Sequence, residues 1–247
     1  MRIDGLEDMK FVGVDGCKKG WFAVALGSGR KWEIGIYETI DNLWKAVNSP
    51  SLMLIDIPIG LPANSRRLCD RETRKLLGPR GASVFPVPCR NALQAKTYRQ
   101  ACRINQQIMG VKLSIQSWNI SSKIKEIDSW LQRKRAARSR IRESHPELCF
   151  WSLAGEHIMT HSKKTARGFL ERCAILQQNY PETGNIVKQA LAQFRRRDLA
   201  RDDILDALAL AVSARISAGK PKTIPLSPSL DEKGRPMEIV YPPAQFF

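Results

Sequence analysis

Two aspartates lie where their carboxylates could share a cation. Asp15 ends an apolar, strand-like segment, and Asp56 lies late in another. An ionised carboxylate beside a buried strand is costly unless it is paired, hydrogen-bonded or bound to a cation. In open α/β sheets, ligands gather at the carboxyl ends of the strands, where both residues are expected. For either aspartate taken alone, hydrogen bonds from the loop that follows it are the favoured explanation.

Two further aspartates, Asp203 and Asp206, occur in the segment RDDILDALALAVSARISAG (201–219). Their i, i+3 spacing places both on one helix face, where like charges repel. The segment is apolar nearly all round, which indicates a buried helix. For one of Asp202 and Asp203, helix capping is the favoured explanation, because Asp is favoured at the N-cap. A divalent cation would relieve the repulsion at Asp206, and hard cations such as Mg²⁺ choose carboxylate oxygens.

Two glutamates and three histidines are weaker candidates. The segment ESHPELCFWSL (143–153) is predicted to be a later strand, whose period of two puts Glu143, His145 and Glu147 on one face. One of these glutamates could join the aspartates, and the other is equally well explained as a surface residue. His157 and His161 have the spacing of a helical zinc pair, but HIMTH lacks the Glu of HExxH, so we interpret them as surface histidines.

The charge balance favours a polyanionic partner. The 247 residues include 40 Lys and Arg against 24 Asp and Glu, a net charge of +16. Such a surplus favours nucleic acid first and an anionic membrane surface second, while solubility alone is the other explanation. The residues predicted to contact a nucleic-acid backbone are Lys18 and Lys19 beside Asp15, and Arg133, Lys134, Arg135 and Arg138 in the basic stretch 133–142. A solvated turn and a solvated helix face explain these two groups as well.

Cysteine spacing and apolar runs bear on the compartment. The six cysteines form no CxxC pair, which excludes a zinc ribbon, and we expect reduced thiols. No apolar run approaches the ~20 residues that span a bilayer. The N-terminal MRIDGLEDMKF mixes charges without an apolar core, unlike a signal peptide. We therefore expect a soluble, cytoplasmic protein with no membrane partner, and the sequence leaves the oligomeric state open.

A sheet must position these aspartates. Residues 10–15, 21–26 and 31–39 read as three strands joined by short loops, which predicts an antiparallel meander. Asp41 can cap a helix that runs to about Val47. The segment SLMLIDIPIGLP (51–62) is then an apolar strand, broken by Pro58 and predicted to be parallel to the first strand.

The rest of the chain is predicted to be mainly helical. Residues 63–140 form a helical insertion, and further helices are expected at about 163–179, 183–197 and 201–219. The order βββαβ, insertion, β and closing helices predicts a single α/β domain over 1–247, with a mixed sheet flanked by helices.

Five strings in order carry a family resemblance: GVDGCKKGW, LIDIPIGLP, RRLCDRETRKLLGPRGASVFPVP, ESHPELCF and RDDILDALALA. Together they resemble the domain of unknown function 429 family, whose members are described as predicted nucleases with a ribonuclease-H-like fold. The closing DILDALALA is also similar to the last helix of RuvC-type Holliday-junction resolvases, where two aspartates three apart complete the metal site. The resemblance implies a ribonuclease-H-like, mixed five-stranded sheet.

The resemblance also implies roles for the acidic residues. Asp15 would be the first-strand aspartate that bridges the metals, Asp56 the fourth-strand acid, and Asp203 and Asp206 the closing-helix positions. Glu143 is a further catalytic candidate that the resolvase pattern does not require. The chemistry would be two-metal phosphodiester hydrolysis with Mg²⁺ or Mn²⁺, in which one ion lowers the pKa of a water and the other steadies the leaving oxygen.

Three functions remain open at this point. The first is a nuclease, and the second is a non-catalytic nucleic-acid-binding module with the same fold and charge. The third is a phosphotransferase of the sugar-kinase and actin superfamily, which shares this strand order. The third is disfavoured because DGCKKGW places lysines where that superfamily's first phosphate loop has Gly and Thr or Ser. DNA is not distinguished from RNA, nor endonuclease from exonuclease action.

Overall fold

The fold is that of a computed structural model, which describes residues 10–244. The first nine residues lie outside the described residues. They include most of MRIDGLEDMKF, the segment that we expect not to be a signal peptide. The strands are β1 Phe11–Cys17, β2 Gly20–Leu26, β3 Trp32–Tyr37, β4 Leu52–Ile55, β5 Ile141–Glu143, β6 Lys222–Ile224 and β7 Ile239–Tyr241. The α-helices are α1 Ile40–Val47, α2 Leu68–Leu77, α3 Tyr98–Met109, α4 Ile115–Asn119, α5 Ser121–Arg133, α6 Pro146–Leu153, α7 Ala166–Asn179, α8 Thr183–Gln193 and α9 Arg201–Ser217.

The main sheet has five strands in the order β3-β2-β1-β4-β5. The first three strands are antiparallel, and β4 pairs in parallel with both β1 and β5. This confirms the α/β class, the mixed five-stranded sheet and the parallel pairing of the strand near residue 51 with the first strand. Val14 is in register with Ile55, and the amide of Asp56 donates to the Val14 carbonyl at 3.0 Å. Asp15 and Asp56 therefore lie at the same end of two neighbouring strands.

Helices cover both faces of this sheet because side chains along a strand alternate between its faces. On one face Phe22, Val24 and Leu54 pack in a core with helices α6 and α9. On the other face Val14, Met53 and Ile55 pack with helices α1 and α5. Both strands β1 and β4 are thus buried on both sides, as their continuous apolar sequence predicts.

Gly13 lets helix α9 lie directly on β1. A Cβ atom at this position would lie 2.0 Å from the Ala207 carbonyl oxygen and 2.2 Å from the Ala211 amide nitrogen. No side chain fits in that space, so only glycine allows the helix backbone to approach the strand so closely. This approach brings the first turns of α9, with Asp206, beside the end of β1.

The predicted strand over 143–153 is wrong. Strand β5 ends at Glu143, and Pro146–Leu153 forms helix α6 with Pro146 in its first turn. Proline is favoured there because it has no amide hydrogen to leave unbonded. Every residue of α6 is buried, so its apolar run belongs to a buried helix. Consequently Glu143, His145 and Glu147 are not aligned on one strand face.

Other boundaries differ for local reasons. Thr39, not Asp41, caps α1, and its hydroxyl accepts from the Asn42 amide at 3.2 Å. The predicted insertion contains α2 to α5 together with 3-10 helices at Gly78–Ser83, Arg90–Gln94 and Arg135–Ala137. Strands β6 and β7 form a small antiparallel pair that the sequence did not suggest. No helix between residues 10 and 244 has both the length and the apolar character needed to cross a membrane.

Candidate functional site

Asp15 and Asp56 form the strand-end half of the acidic cluster. Asp15 is 9% exposed, and its Oδ1 accepts a hydrogen bond from the Gly16 amide at 2.6 Å. Burial raises the pKa of Asp15 well above its usual value, and the charges of Asp56 and Asp206 raise it further. Burial likewise raises the pKa of Asp56 to about 7, with Asp206 the next cause. The two strand ends therefore hold carboxyl groups that resist ionisation, as crowded buried acids do.

Asp206 and Asp203 approach the same point from helix α9. Asp206 is 1% exposed; its Oδ2 accepts from the Lys163 ammonium, and its Oδ1 has no hydrogen-bond partner among residues 10–244. Asp203 Oδ2 accepts from the Ala200 amide at 3.0 Å, so this residue also caps the helix. Burial raises the pKa of Asp203 to about 6. The charges of both residues raise the pKa of Asp15 and Asp56, so the four aspartates form one electrostatic cluster, here called the aspartate cluster.

Lys163 supplies the cation of this cluster. It lies in the segment between α6 and α7, and 31% of its side chain is exposed. Burial alone would lower the pKa of Lys163, but the charges of Asp206, Asp15 and Asp56 outweigh burial and raise it. Sequence reasoning missed this residue because SKKT resembles any solvated loop and contains no spacing that would single out one lysine.

The aspartate cluster is not a preformed metal site. Between residues 10 and 244, no group of three or more His, Cys, Asp or Glu side chains is arranged to hold a metal ion. The donor chemistry nevertheless fits one, because the cluster offers only carboxylate oxygens and one of them is buried without a partner. A cation can fit only if the Lys163 ammonium moves away from Asp206, because the two positive charges would compete for the same carboxylates.

The cluster borders a cavity of about 220 Å³, here called the acidic cavity. Its wall includes Asp15, Asp56, Lys123, Lys163, His145 and Phe85. His145 occupies the N-cap position of α6, but its side chain makes no capping hydrogen bond. Its Nδ1 is buried without a partner in the described chain, and its Nε2 lies 3.4 Å from the Ser83 carbonyl oxygen. Burial lowers the pKa of His145, so the imidazole is neutral near pH 7. His145 is thus a functional candidate that the incorrect strand assignment had obscured.

Glu143 and Glu147 reach the wall of the acidic cavity but are held in buried ion pairs. Both carboxylate oxygens of Glu143 accept from Arg67, at 2.6 and 2.7 Å, and Oε2 also accepts from the Ile59 amide at 2.6 Å. Burial raises the pKa of Glu143 to about 7, although Arg67 opposes the shift. Glu147 accepts from Arg172 at 2.5 Å. Their bonds give both glutamates a structural task outside the aspartate cluster.

The structure brings only part of the predicted basic set near the aspartates. Lys18 and Lys19 are exposed in the turn after β1, at the same end of the sheet as Asp15, and Lys19 forms an ion pair with Asp198 at 3.1 Å. The stretch 133–142 precedes and begins β5, and its Ile141 is in register with Met53. Met53 lies three residues before Asp56, so at ~3.3 Å per residue the basic stretch lies about 10 Å or more from Asp56 along the sheet.

Two of the four predicted cations in that stretch have partners of their own. Lys134 lies 3.7 Å from Asp41, and Arg138 donates to the carbonyl oxygens of Leu131 and Gln132. Arg133 and Arg135 are exposed. Nucleic-acid binding by this stretch stays a prediction.

The comparison with protein-family models gave a match. A family model described as "Protein of unknown function (DUF429)" matches residues 13–229. The match runs from the first strand past the closing helix α9, and it includes all four aspartates, Lys163 and His145. Neither the comparison with curated proteins nor that with solved structures gave a match.

Proposed function

We propose that this chain, which belongs to the DUF429 family of proteins of unknown function, is a divalent-metal-dependent nuclease with a ribonuclease-H-like fold. The observation that carries the proposal is the convergence of Asp15, Asp56 and Asp206 from two strand ends and one buried helix, with Oδ1 of Asp206 buried and without a partner in the described chain. Buried carboxylates gain free energy from a bound cation. The mixed five-stranded sheet and the net charge of +16 support the proposal.

The oxygen ligands of the aspartate cluster suit Mg²⁺ or Mn²⁺. Asp15, Asp56 and Asp206 would hold the ion, with Asp203 at the edge of the cluster. When bound, such an ion supplies Lewis acidity, which stabilises negative charge on a phosphate and makes water easier to deprotonate. Lys163 would leave Asp206 as the ion enters.

The other side chains of the acidic cavity have roles that follow from their chemistry. Lys163, once released, can donate to a phosphate oxygen from the same cavity wall. His145 is neutral near pH 7 and can accept a proton within the cavity. The Arg67–Glu143 ion pair keeps the wall in place, because both partners are buried and each satisfies the other.

One observation favours a second candidate, a non-catalytic nucleic-acid-binding module. Lys163 already compensates Asp206 without a metal ion, and no metal-ready group of side chains occurs in residues 10–244. A protein that kept the fold but no longer bound a metal ion would need a side-chain cation such as Lys163 to compensate the buried carboxylate at all times. The two candidates differ in whether a divalent ion displaces Lys163.

Cleavage assays with labelled DNA and RNA oligonucleotides in Mg²⁺ or Mn²⁺ test the proposal. We expect cleavage by the wild type, its loss in Asp15→Asn and Asp56→Asn, and its retention in Glu72→Gln, a control at an exposed site on α2. Calorimetric titration should show Mn²⁺ binding that Asp206→Asn weakens. Nucleic-acid binding without cleavage in either metal would shift the conclusion to the non-catalytic module. If the protein neither binds nor cleaves nucleic acid, both candidate functions would be overturned.

A further inference from the structure

We infer that two basic clefts flank the acidic cavity and that the three together form a track for single-stranded nucleic acid. The inference rests on the proposed function for the cutting site, but binding to the track needs no metal ion. A polyanion would be repelled by the aspartate cluster alone, so cations on either side must hold it. Two such groups of cations border the acidic cavity.

The first cleft lies along helix α2 and has a volume of about 170 Å³. It shares Arg67 and Asp70 with the acidic cavity, and these two buried residues form an ion pair at 2.5 Å that separates the two spaces. Arg66, Arg71 and Arg74 line the cleft with exposed side chains. None of the three forms an ion pair with any residue from 10 to 244. Arg74 donates to the Val84 carbonyl oxygen at 3.0 Å, so Arg66 and Arg71 are the cations most available to an anion.

The second cleft is an open basin of about 980 Å³ beside the turn after β1. Lys123 lines both this basin and the acidic cavity; its Nζ donates to the Gly20 carbonyl at 2.5 Å and lies 4.5 Å from the centre of the Trp21 ring. Lys18 and Arg195 are exposed in the basin, and neither has an ion-pair partner among the residues described. The basin also contains Glu38 and Asp198, but its four cations outnumber these two acids, so net positive charge lies on both sides of the aspartates.

Phe85 indicates that the bound nucleic acid is single-stranded. This ring is 37% exposed, and it lines the same acidic cavity as Asp15 and Asp56. Aromatic rings beside a basic groove bind single strands by stacking on bases, and every base has a face that can stack. The bases of a duplex already stack on one another and are not available to a side chain in this way. A phosphate backbone held by both clefts would place a base beside Phe85.

The track differs from the basic stretch 133–142, which begins β5 at the opposite end of the sheet. That difference lets a charge-matched variant distinguish the track from the basic stretch. Arg133 and Arg135 are exposed arginines, like Arg66 and Arg71, and their removal changes the net charge by the same amount. Circular dichroism and thermal melting of each variant would establish that it is folded before its binding is measured.

Fluorescence anisotropy in EDTA, with single-stranded DNA and RNA oligonucleotides of about 12 nucleotides, tests the track. Each of the double variants R66A/R71A and K18A/R195A should reduce the slope of log affinity against log salt by about 1.4, because each phosphate contact contributes about 0.7. Phe85→Ala should weaken binding about five- to a hundred-fold at constant salt slope. The track predicts that R133A/R135A binds like the wild type, whereas a backbone contact by the stretch 133–142 predicts a lower slope for this variant. Comparison of the affinities for the DNA and RNA oligonucleotides identifies the preferred nucleic acid.

The possible outcomes separate this inference from the proposed nuclease. Reduced slopes in both track variants, without metal-dependent cleavage by the wild type, would keep the track and overturn the nuclease. Unchanged slopes in both variants, with wild-type cleavage intact, would overturn the track and keep the nuclease. A lower slope in R133A/R135A alone would move the backbone contacts to the other end of the sheet. Duplex that binds as tightly as the single strand would overturn the assignment of Phe85.

Discussion

The Lys163 ammonium donates a hydrogen bond to a carboxylate oxygen of Asp206, a residue whose side chain is 1% exposed in the closing helix. Lys163→Met should remove this cation and keep most of the aliphatic volume. The free energy of unfolding should fall by about 2–4 kcal/mol, because breaking a buried pair leaves an uncompensated charge. Urea denaturation in EDTA near neutral pH would measure the loss.

Lys164→Met is the matched control, because Lys164 is the next residue and is exposed. It should change stability by less than about 0.5 kcal/mol. Saturating Mg²⁺ should stabilise Lys163→Met more than the wild type, since no ammonium has to be displaced first. Equal stability of the two variants would mean that the Lys163–Asp206 pair carries no net free energy.

The raised pKa of Asp56 predicts an unusual dependence of stability on pH. Between the ordinary aspartate value of 3.8 and about 7, the folded protein holds the Asp56 proton more tightly than the unfolded chain does. The stabilisation is complete below this window, and the free energy of unfolding decreases as the pH rises through it. One such group contributes a slope of at most about 1.4 kcal/mol per pH unit.

Asp56→Asn should make that slope shallower in EDTA, because asparagine does not titrate. Urea denaturation at several pH values from about 4 to about 7 would compare the variant with the wild type. Glu72→Gln, which changes an exposed acid on α2, should keep the wild-type slope. Parallel curves for wild type and Asp56→Asn would show that Asp56 ionises normally in the folded protein.

Gly13→Ala should disrupt the contact that positions Asp206. The added Cβ would lie 2.0 Å from the Ala207 carbonyl oxygen, and backbone atoms cannot move aside as a flexible side chain can. We expect a loss of about 3 kcal/mol or more, together with weaker Mn²⁺ binding as α9 moves off β1. Denaturation and calorimetry would measure the two effects.

Gly184→Ala in α8 is the comparison for Gly13→Ala. The Cβ added there would have its nearest neighbour at 3.6 Å, which is ordinary van der Waals contact. This variant should be neutral or more stable by up to about 1 kcal/mol, because alanine favours a helix. Wild-type stability and metal binding in Gly13→Ala would contradict the close packing of α9 on β1.

The aspartates were predictable from the sequence because each breaks an apolar pattern. Asp15 lies two residues before the end of buried strand β1, Asp56 directly follows buried strand β4, and Asp206 interrupts a helix that is apolar nearly all round. A carboxylate within an apolar segment needs a cation or a hydrogen-bond donor in any fold that buries the segment. The sequence also predicted the five-stranded mixed sheet, because short loops join the first three strands and a helix leads to the fourth.

Lys163 and the end of β5 were not predictable in the same way. A loop lysine has no periodic context, so only the folded chain shows that Lys163 meets Asp206. Strand β5 has three residues, and the apolar run behind it is short enough to fit a strand or a buried helix. Pro146 was the available signal, since proline favours the first turn of a helix.

A variant of Glu143 tests whether this residue of the acidic-cavity wall is a metal ligand or a structural partner of Arg67. Glu143→Gln should lower the free energy of unfolding by about 2–4 kcal/mol, because buried Arg67 loses one of its two carboxylate partners. Its affinity for Mn²⁺ should match the wild type, since Glu143 is bonded to Arg67 and the Ile59 amide. Denaturation and calorimetric titration on the same protein would give both values.

Asp56→Asn should show the opposite pattern, which makes the pair of variants a crossed test. Removing one of several crowded acids should keep or raise stability near neutral pH in EDTA, while Mn²⁺ affinity falls. The two variants therefore separate a structural carboxylate from a cluster carboxylate within one cavity wall. Loss of Mn²⁺ binding in Glu143→Gln at wild-type stability would instead make Glu143 a metal ligand, a role beyond the catalytic one predicted for it from the sequence.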